Sequence, residues 1–281
     1  MISFVVVLAA LFWLIGAYFG NAEGYFLVGF IVALATSGFS YFFSDTLVLA
    51  TVRATPADKE KHFDFYTVTE NLAIAGGTPM PRLYVIEDAS PNAFATGRDP
   101  KHAVVCVTTG LLAILDRGEL EGVIAHELSH IRNYDILVST MTAVLVGTIA
   151  LVTEWVTRSM WWGGGRDNRS SGRNPVLLVI FLVSLVLTPI VAKIIQLAVS
   201  RRREFLADAS GALLTRNPEG LASALEKITS YPHGVSSATS STAHLFIANP
   251  LRGEDSEPSW YERLFSTHPP AKERIRMLRG S

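Results

Sequence analysis

The chain has 281 residues, and 24 Lys and Arg against 25 Asp and Glu leave a formal net charge of −1. Apolar residues make up 49% of it and charged residues only 17%, where soluble domains carry about a quarter. With a mean hydropathy of +0.31, this points to a membrane protein; the balanced charge, without a basic stripe, excludes a nucleic-acid partner, and the single cysteine, Cys106, excludes an intramolecular disulfide.

In chain order, two uncharged apolar runs come first, Ile2–Gly20 and Tyr25–Phe43. Each approaches the roughly 20 residues a membrane helix needs. The first lacks the basic start and small-residue cleavage site of a signal peptide, so it reads as a retained span. Two further runs, Ile136–Thr153 and Val176–Ala192, are uncharged for 18 and 17 residues. They read as a membrane hairpin, with a buried pair of core helices as the alternative. This divides the chain into 1–50 (two spans), 51–135, 136–200 (hairpin) and 201–281.

Lys and Arg near span ends set orientation. Arg53, Lys59, Lys61, Arg132, Arg201, Arg202 and Arg203 flank one side, against Arg158, Arg166, Arg169 and Arg173 in the loop of the hairpin. The excess places both termini and both large segments in the cytoplasm of a multi-pass protein of the cell membrane. Trp155, Trp161 and Trp162 suit an interfacial belt beside that outer loop.

Within 51–135, "RLYVIED" and "HAVVCVTTG" are β-rich, and Cys106 in the second is a buried strand residue. "LLAILDRGELEGVIAHELSHIRNYD" reads as helix, turn, helix, with Asp116 and Glu119 as a capping box. In 201–281 a helix runs from the end of the fourth span to Pro218. Another restarts on the Asn217 cap with Pro218 in its first position. "HGVSSATSSTA", 233–243, reads as mobile, and a last helix spans Ala271–Leu278.

The stretch "AHELSH" carries the chemistry. Residues four apart share one helix face, about 6 Å apart along the axis, so His126 and His130 can hold one metal ion. Glu127, rotated about 100°, flanks that ion and can take a proton from the attacking water. Catalytic zinc needs a third protein ligand and an open position. "RRREFLADASGA" offers Glu204 as that ligand, and Asp208, one turn on, as an acceptor for a ligand imidazole. His130 lies just before the third apolar run and Glu204 just after the fourth. An antiparallel hairpin therefore brings them to one membrane face. Read as one continuous helix, "HELSHIRNYDILVSTM" would set the metal about 10–20 Å above the bilayer.

With "SPNAFATG", "FSTHPPAKERIRML" and "FSDTLVLA", these motifs resemble the HtpX family of membrane-integrated zinc metalloproteases, relatives of the CAAX prenyl endopeptidases. The resemblance covers most of the chain. It implies an integral membrane protein, mostly α-helical with about four transmembrane helices, and an α+β zincin-like cytoplasmic domain of the HExxH…ExxxD kind. It also implies one Zn²⁺ on His126, His130 and Glu204, Glu127 as catalytic base, and an active site facing the cytoplasm. In the family, the segment matching Asn92, Ala93, Phe94 and Ala95 lies beside the catalytic helix, where an edge strand can pair with an extended substrate; a plain turn and strand is the other reading. Asn133 either supports the site or caps a local bond. Asp135 either pairs with an arginine at the membrane surface or is simply solvated. His268 either stabilises the oxyanion, serves as a movable ligand, or caps the last helix. His62, His102, His233 and His244 are assigned no role.

The expected function is a membrane-bound zinc endopeptidase acting on misfolded or damaged membrane proteins in quality control, with membrane-protein or peptide substrates and the lipid bilayer as partners. A prenyl-protein (CAAX-type) endopeptidase and a non-catalytic zinc-stabilised scaffold are the alternatives.

Overall fold

The computed structural model describes residues 22–140, 201–239, 241–251 and 269–280, with Val5, Ala9, Trp13 and Val183. Most of the first, third and fourth apolar runs, the loop between the last two, and His268 lie outside the described residues. The chain forms two compact units, 1–43 with 145–193 and 44–144 with 194–281. In the first unit, helix α1 (Ala22–Thr51) is described from its start, and its Ala22–Phe39 portion is long and apolar enough to cross a membrane. The helix runs past the expected end of the second span, and its last residues belong to the second unit.

That second unit carries a four-stranded sheet. Its strands are β1 (Thr55–Pro56), β2 (Arg82–Ile86), β3 (Ala93–Gly97) and β4 (Ala103–Thr108), in the order β1-β2-β4-β3. Strands β2 and β4 are parallel, with Leu83 opposite Val105. β3 returns antiparallel to β4, with Ala95 opposite Val105, and forms one edge. β4 is buried at all six positions, because both of its faces are covered. Its alternate side chains divide accordingly. Val105 and Val107 join a core with Phe65, Val123, Ile124 and Leu128. Val104 and Cys106 join Val48, Leu49 and Val52 from the end of α1, with Phe246. Burial pushes the Cys106 thiol up, so it stays neutral.

Among the described residues, three helices pack on one central helix. α2 (Phe63–Gly76) precedes the sheet, and α3 (Thr109–Ile114) leaves it on the Thr108 cap. The central helix α4 (Arg117–Arg132) starts at Asp116, whose side chain accepts from the Glu119 N–H while Glu119 accepts from the Asp116 N–H. This is the capping box expected from the sequence. α5 (Arg201–Thr215), α6 (Pro218–Ser230) and α7 (Ala271–Arg279) follow. Asn217 caps α6 through the Gly220 N–H, with Pro218 in its first turn.

Two local expectations are corrected. The catalytic helix and the third apolar run are not one helix. α4 ends with Asn133 as its C-cap, and Tyr134 adopts a left-handed φ of 60°. Helical backbone resumes at Asp135, so no height above the bilayer follows from a single rise. The described residues of 233–243 are also anchored. Ser236 donates its N–H and Oγ–H to Asp88 Oδ2 at 2.8 and 2.6 Å, and the Val235 N–H donates to the Pro250 carbonyl. Thr239 hydrogen-bonds Ser241 and Thr242 within the same stretch.

Candidate metal centre

α4 is buried on nearly every side, from Glu119 to Ile131. Its middle turn therefore presents His126 and Glu127, 1% and 2% exposed, from inside the fold. α5 crosses beside it. Its buried residues are Glu204, Ala207, Asp208 and Gly211, a 3–4 stripe that faces α4. Gly211 permits the approach. A Cβ there would lie 3.0 Å from the His126 backbone nitrogen and 3.2 Å from the Ala125 carbonyl carbon.

The crossing brings His126, His130 and Glu204 together, with their ligand atoms all within 4.8 Å of one another. The two Nε2 atoms are 3.1 Å apart. Glu204 Oε1 lies 3.4 Å from His130 Nε2, and its Oε2 lies 3.7 Å from His126 Nε2. Each imidazole is turned by a carboxylate on its other nitrogen. His126 Nδ1 lies 2.9 Å from Asp208 Oδ1, and His130 Nδ1 lies 3.1 Å from Asp135 Oδ2. Carboxylates accept, so Nδ1 carries the hydrogen in both rings and the Nε2 lone pairs point at each other and at Glu204. Three converging acceptors of this kind repel unless a cation lies among them. Two imidazoles and one carboxylate are also a donor set suited to zinc with an open fourth position. The residues present fit the metal.

The charges agree. Burial pushes His126 down to about 4, helped by the Arg274 guanidinium. Burial opposes charge on His130 as well, but Glu204 and Asp135 outweigh it and raise His130 to about 9. Three nearby carboxylates, Glu204, Asp135 and Glu127, thus favour positive charge at the centre. Burial pushes Glu127 up to about 7, the range a general base needs near neutral pH. The Ala95 backbone beside the carboxylate works weakly the other way.

A second ring of groups holds these. Burial works against charge on Asp208, yet Arg274 first, and then His126, keep its carboxyl well below the usual range. Arg274 is 1% exposed and reaches in from α7. It donates to both Asp208 oxygens and to the Ile247 carbonyl. Arg203 lies 3.6 Å from Asp135 Oδ1.

A cleft with an empty volume of about 440 Å³ opens on the centre, and Ala95, Ile136, Ser139, His244, Leu245 and Ile247 are among its walls. The sequence matches peptidase family M48 over residues 61–281. The chain belongs to peptidase family M48. Within that family, a Protease HtpX homolog of Thermoanaerobacter pseudethanolicus is 46% identical over 286 residues, covering 99% of this chain and 93% of the relative. One of Pyrococcus furiosus is 44% identical over 264 residues, covering 93% and 88%. The crystal structure of S. mikatae Ste24p is similar in fold, with a TM-score of 0.56 at 19% identity, covering 97% of this chain and 62% of that one. The M48 assignment makes the chain a metallopeptidase of the HtpX kind, as its motifs implied.

Against that family background, the expected residues sort themselves. His126, Glu127, His130, Glu204 and Asp208 meet at one point. Of the four strand residues, Ala95 alone lines the cleft. Asn92 is buried and binds Ala248, donating from Nδ2 to its carbonyl at 3.0 Å and accepting its N–H at 3.3 Å. The Ala93 carbonyl accepts the Ile247 N–H. Phe94 is buried with its ring 5.0 Å from that of Phe246. These three therefore tie β3 to the Phe246–Ala248 segment behind the cleft. Asn133 is an exposed C-cap whose N–H returns to the Ser129 carbonyl. Sequence reasoning missed Asp135 as the support of His130, and it missed Arg274. The signals were thin: an Asp five residues past a ligand histidine, and an Arg inside an otherwise polar last helix.

Proposed function

We propose that the chain is a zinc-dependent endopeptidase held in the membrane by about four spans, with its cleft on the cytoplasmic side, acting on misfolded or damaged membrane proteins. The observation that carries the chemistry is the convergence of His126, His130 and Glu204 within 4.8 Å beside the buried Glu127. A zinc ion bound there would polarise the scissile carbonyl and acidify the attacking water. Glu127 accepts the water proton as the oxygen attacks the carbonyl carbon. It then passes that proton to the leaving amine as the C–N bond breaks. Asp208 and Asp135 keep both ligand rings in the tautomer that binds metal.

The membrane reading rests on the apolar runs of the sequence, on the Ala22–Phe39 helix and on the seven-to-four Lys/Arg asymmetry. For His268 we retain, from the family resemblance alone, a role in stabilising the oxyanion or as a movable ligand.

The test is cleavage of casein by detergent-purified protein. Wild type should bind one zinc and cleave, lose activity to a chelator, and recover on adding zinc back. Glu127→Gln should keep the zinc and lose cleavage. Cleavage by Glu127→Gln at the wild-type rate would overturn the assignment. For orientation, Ser170→Cys should react with an impermeant thiol reagent on intact cells and Lys59→Cys should not; the reverse pattern inverts the topology.

A further inference from the structure

One hydroxyl ties the edge of the sheet to the segment that follows the central helix. Thr140 lies within the third apolar run and is fully buried, as is Thr96 of β3. Thr140 Oγ1 lies 2.5 Å from the Ile136 carbonyl oxygen, 2.8 Å from Thr96 Oγ1 and 3.2 Å from the Gly97 backbone nitrogen. A hydroxyl has one hydrogen and two lone pairs. The carbonyl can only accept, so the hydrogen goes to Ile136, and the lone pairs accept the Thr96 hydroxyl and the Gly97 N–H. The bond back to Ile136 is ordinary for a threonine in a helix. The other two are long-range, joining residues 44 and 43 apart in the chain, and they fasten one end of an edge strand.

The other end of β3 is held as well, by the Ile247 N–H, which donates to the Ala93 carbonyl at 2.8 Å. Main-chain groups of an antiparallel strand turn toward and away from the partner on alternate residues. The Asn92 carbonyl accepts the Thr108 N–H across the ladder, so Ala93, Ala95 and Gly97 turn their N–H and C=O groups to the open edge. Ala95 is the β3 residue that lines the cleft. Its carbonyl is an acceptor suited to a backbone N–H of an extended peptide. Both supports of the strand come from segments that line the same cleft, Ile247 from one, and the stretch with Ile136 and Ser139 from the other. That second stretch begins with Asp135, the support of His130. Residues 135–140 thus set a metal ligand and the strand beside the metal together.

We propose that Thr140 is a positioning residue for the peptide being cleaved: by holding the Gly97 end of β3, it keeps the Ala95 main chain where an extended substrate can pair with it and still reach the metal. Ala95 meets the substrate, and Thr140 acts through Ala95. Without the hydroxyl, the Gly97 N–H loses its partner in a buried setting, and β3 shifts to find another. The ligand class is an extended polypeptide recognised through its main chain. The proposal rests on the peptidase reading, and wild-type cleavage with chelator sensitivity checks that reading separately.

Two substitutions separate the hydroxyl from the shape of the side chain. Thr140→Val keeps the shape and removes every bond the hydroxyl makes, while Thr140→Ser keeps the hydroxyl. With detergent-purified full chain and a fluorogenic peptide, Thr140→Val should retain its zinc, raise KM about tenfold and leave kcat within about twofold, because the pairing with Ala95 is made in ground and transition states alike. Thr140→Ser should hold KM within about twofold of wild type. Acetohydroxamate, which reaches the metal without spanning to β3, should inhibit all three proteins equally. A series of peptides with one non-scissile amide at a time replaced by an ester, which removes one N–H, supplies the second readout. At one position wild type should lose about tenfold in kcat/KM, and Thr140→Val should lose less than about threefold. A wild-type KM in Thr140→Val, an equal rise in Thr140→Ser, weaker acetohydroxamate inhibition of Thr140→Val, or an ester penalty equal in wild type and Thr140→Val at every position would overturn the proposal. If Thr140→Val does not fold, Thr140→Cys takes its place, since a thiol fits the site but accepts only weakly. Its KM should rise at least about threefold with zinc retained, and a wild-type KM refutes the proposal.

Discussion

Arg274 donates from Nε to Asp208 Oδ2 at 2.8 Å and from Nη2 to Asp208 Oδ1 at 2.7 Å, and Asp208 Oδ1 lies 2.9 Å from His126 Nδ1. A helix near the C-terminus thereby sets the tautomer of a ligand on the central helix. Arg274→Met leaves the Asp208 charge buried without its paired cation. Breaking one side of a buried pair costs about 3–5 kcal/mol, so the melting temperature should fall sharply. Asp208 should then take up a proton more readily, His126 should lose its anionic acceptor, and zinc affinity should drop. Arg274→Lys should restore little, because a single ammonium cannot reproduce the two-pronged bond. Thermal melting and zinc competition measure the two effects. A melt unchanged from wild type would show that the pair contributes no stability.

Much of this centre was legible because it is local. His126 with His130, Glu204 with Asp208, and Asp116 with Glu119 are pairs three or four residues apart, so helix geometry alone places each pair on one face. Arg274 was not legible. It meets Asp208 across 66 residues, and "AKERIRMLR" resembles an ordinary solvated helix until its one buried residue is seen. The break at Asn133–Tyr134 was hidden for a similar reason. "HIRNYDIL" has neither Gly nor Pro, and Asn as C-cap was its only punctuation.

Gly211 sits where α5 touches the backbone of His126. The atoms a Cβ would meet are main chain, so they cannot swing aside as a side chain could. Gly211→Val should push α5 off α4 and carry Glu204 and Asp208 with it. Overpacking of this kind costs about 1–3 kcal/mol. The expected signature is weakened zinc binding with helix content retained, read by zinc titration beside circular dichroism. Zinc affinity equal to wild type would show that the crossing tolerates the added bulk.

Asp135 should behave as a support of the metal rather than as a surface charge. Its Oδ2 faces His130 Nδ1 at 3.1 Å, and Arg203 stands 3.6 Å from its other oxygen. Such supporting groups are worth about 10–100-fold in metal affinity. Asp135→Ala should lose affinity in that range. Asp135→Asn, which keeps an acceptor oxygen without the charge, should lose less. Equal affinities for all three proteins would return Asp135 to simple solvation.

Glu119 gives the acid limb of stability. Burial raises its pKa, but Lys227 Nζ at 2.6 Å, Ser223 Oγ at 2.6 Å and the Asp116 N–H at 2.8 Å outweigh that and lower it on balance. A carboxyl held lower in the folded state than in the unfolded chain binds fewer protons when folded. Its contribution is therefore complete above the unfolded pKa of about 4.3. It fades as pH falls through the folded value below that. Wild type should lose melting temperature on acidification below about pH 4.5. Glu119→Gln should start lower and show a shallower slope in that window, because the substitution removes the titrating group while keeping its size. The comparison needs only melting curves of the two proteins between neutral pH and pH 3. Parallel slopes would show that Glu119 is not among the groups that set acid stability.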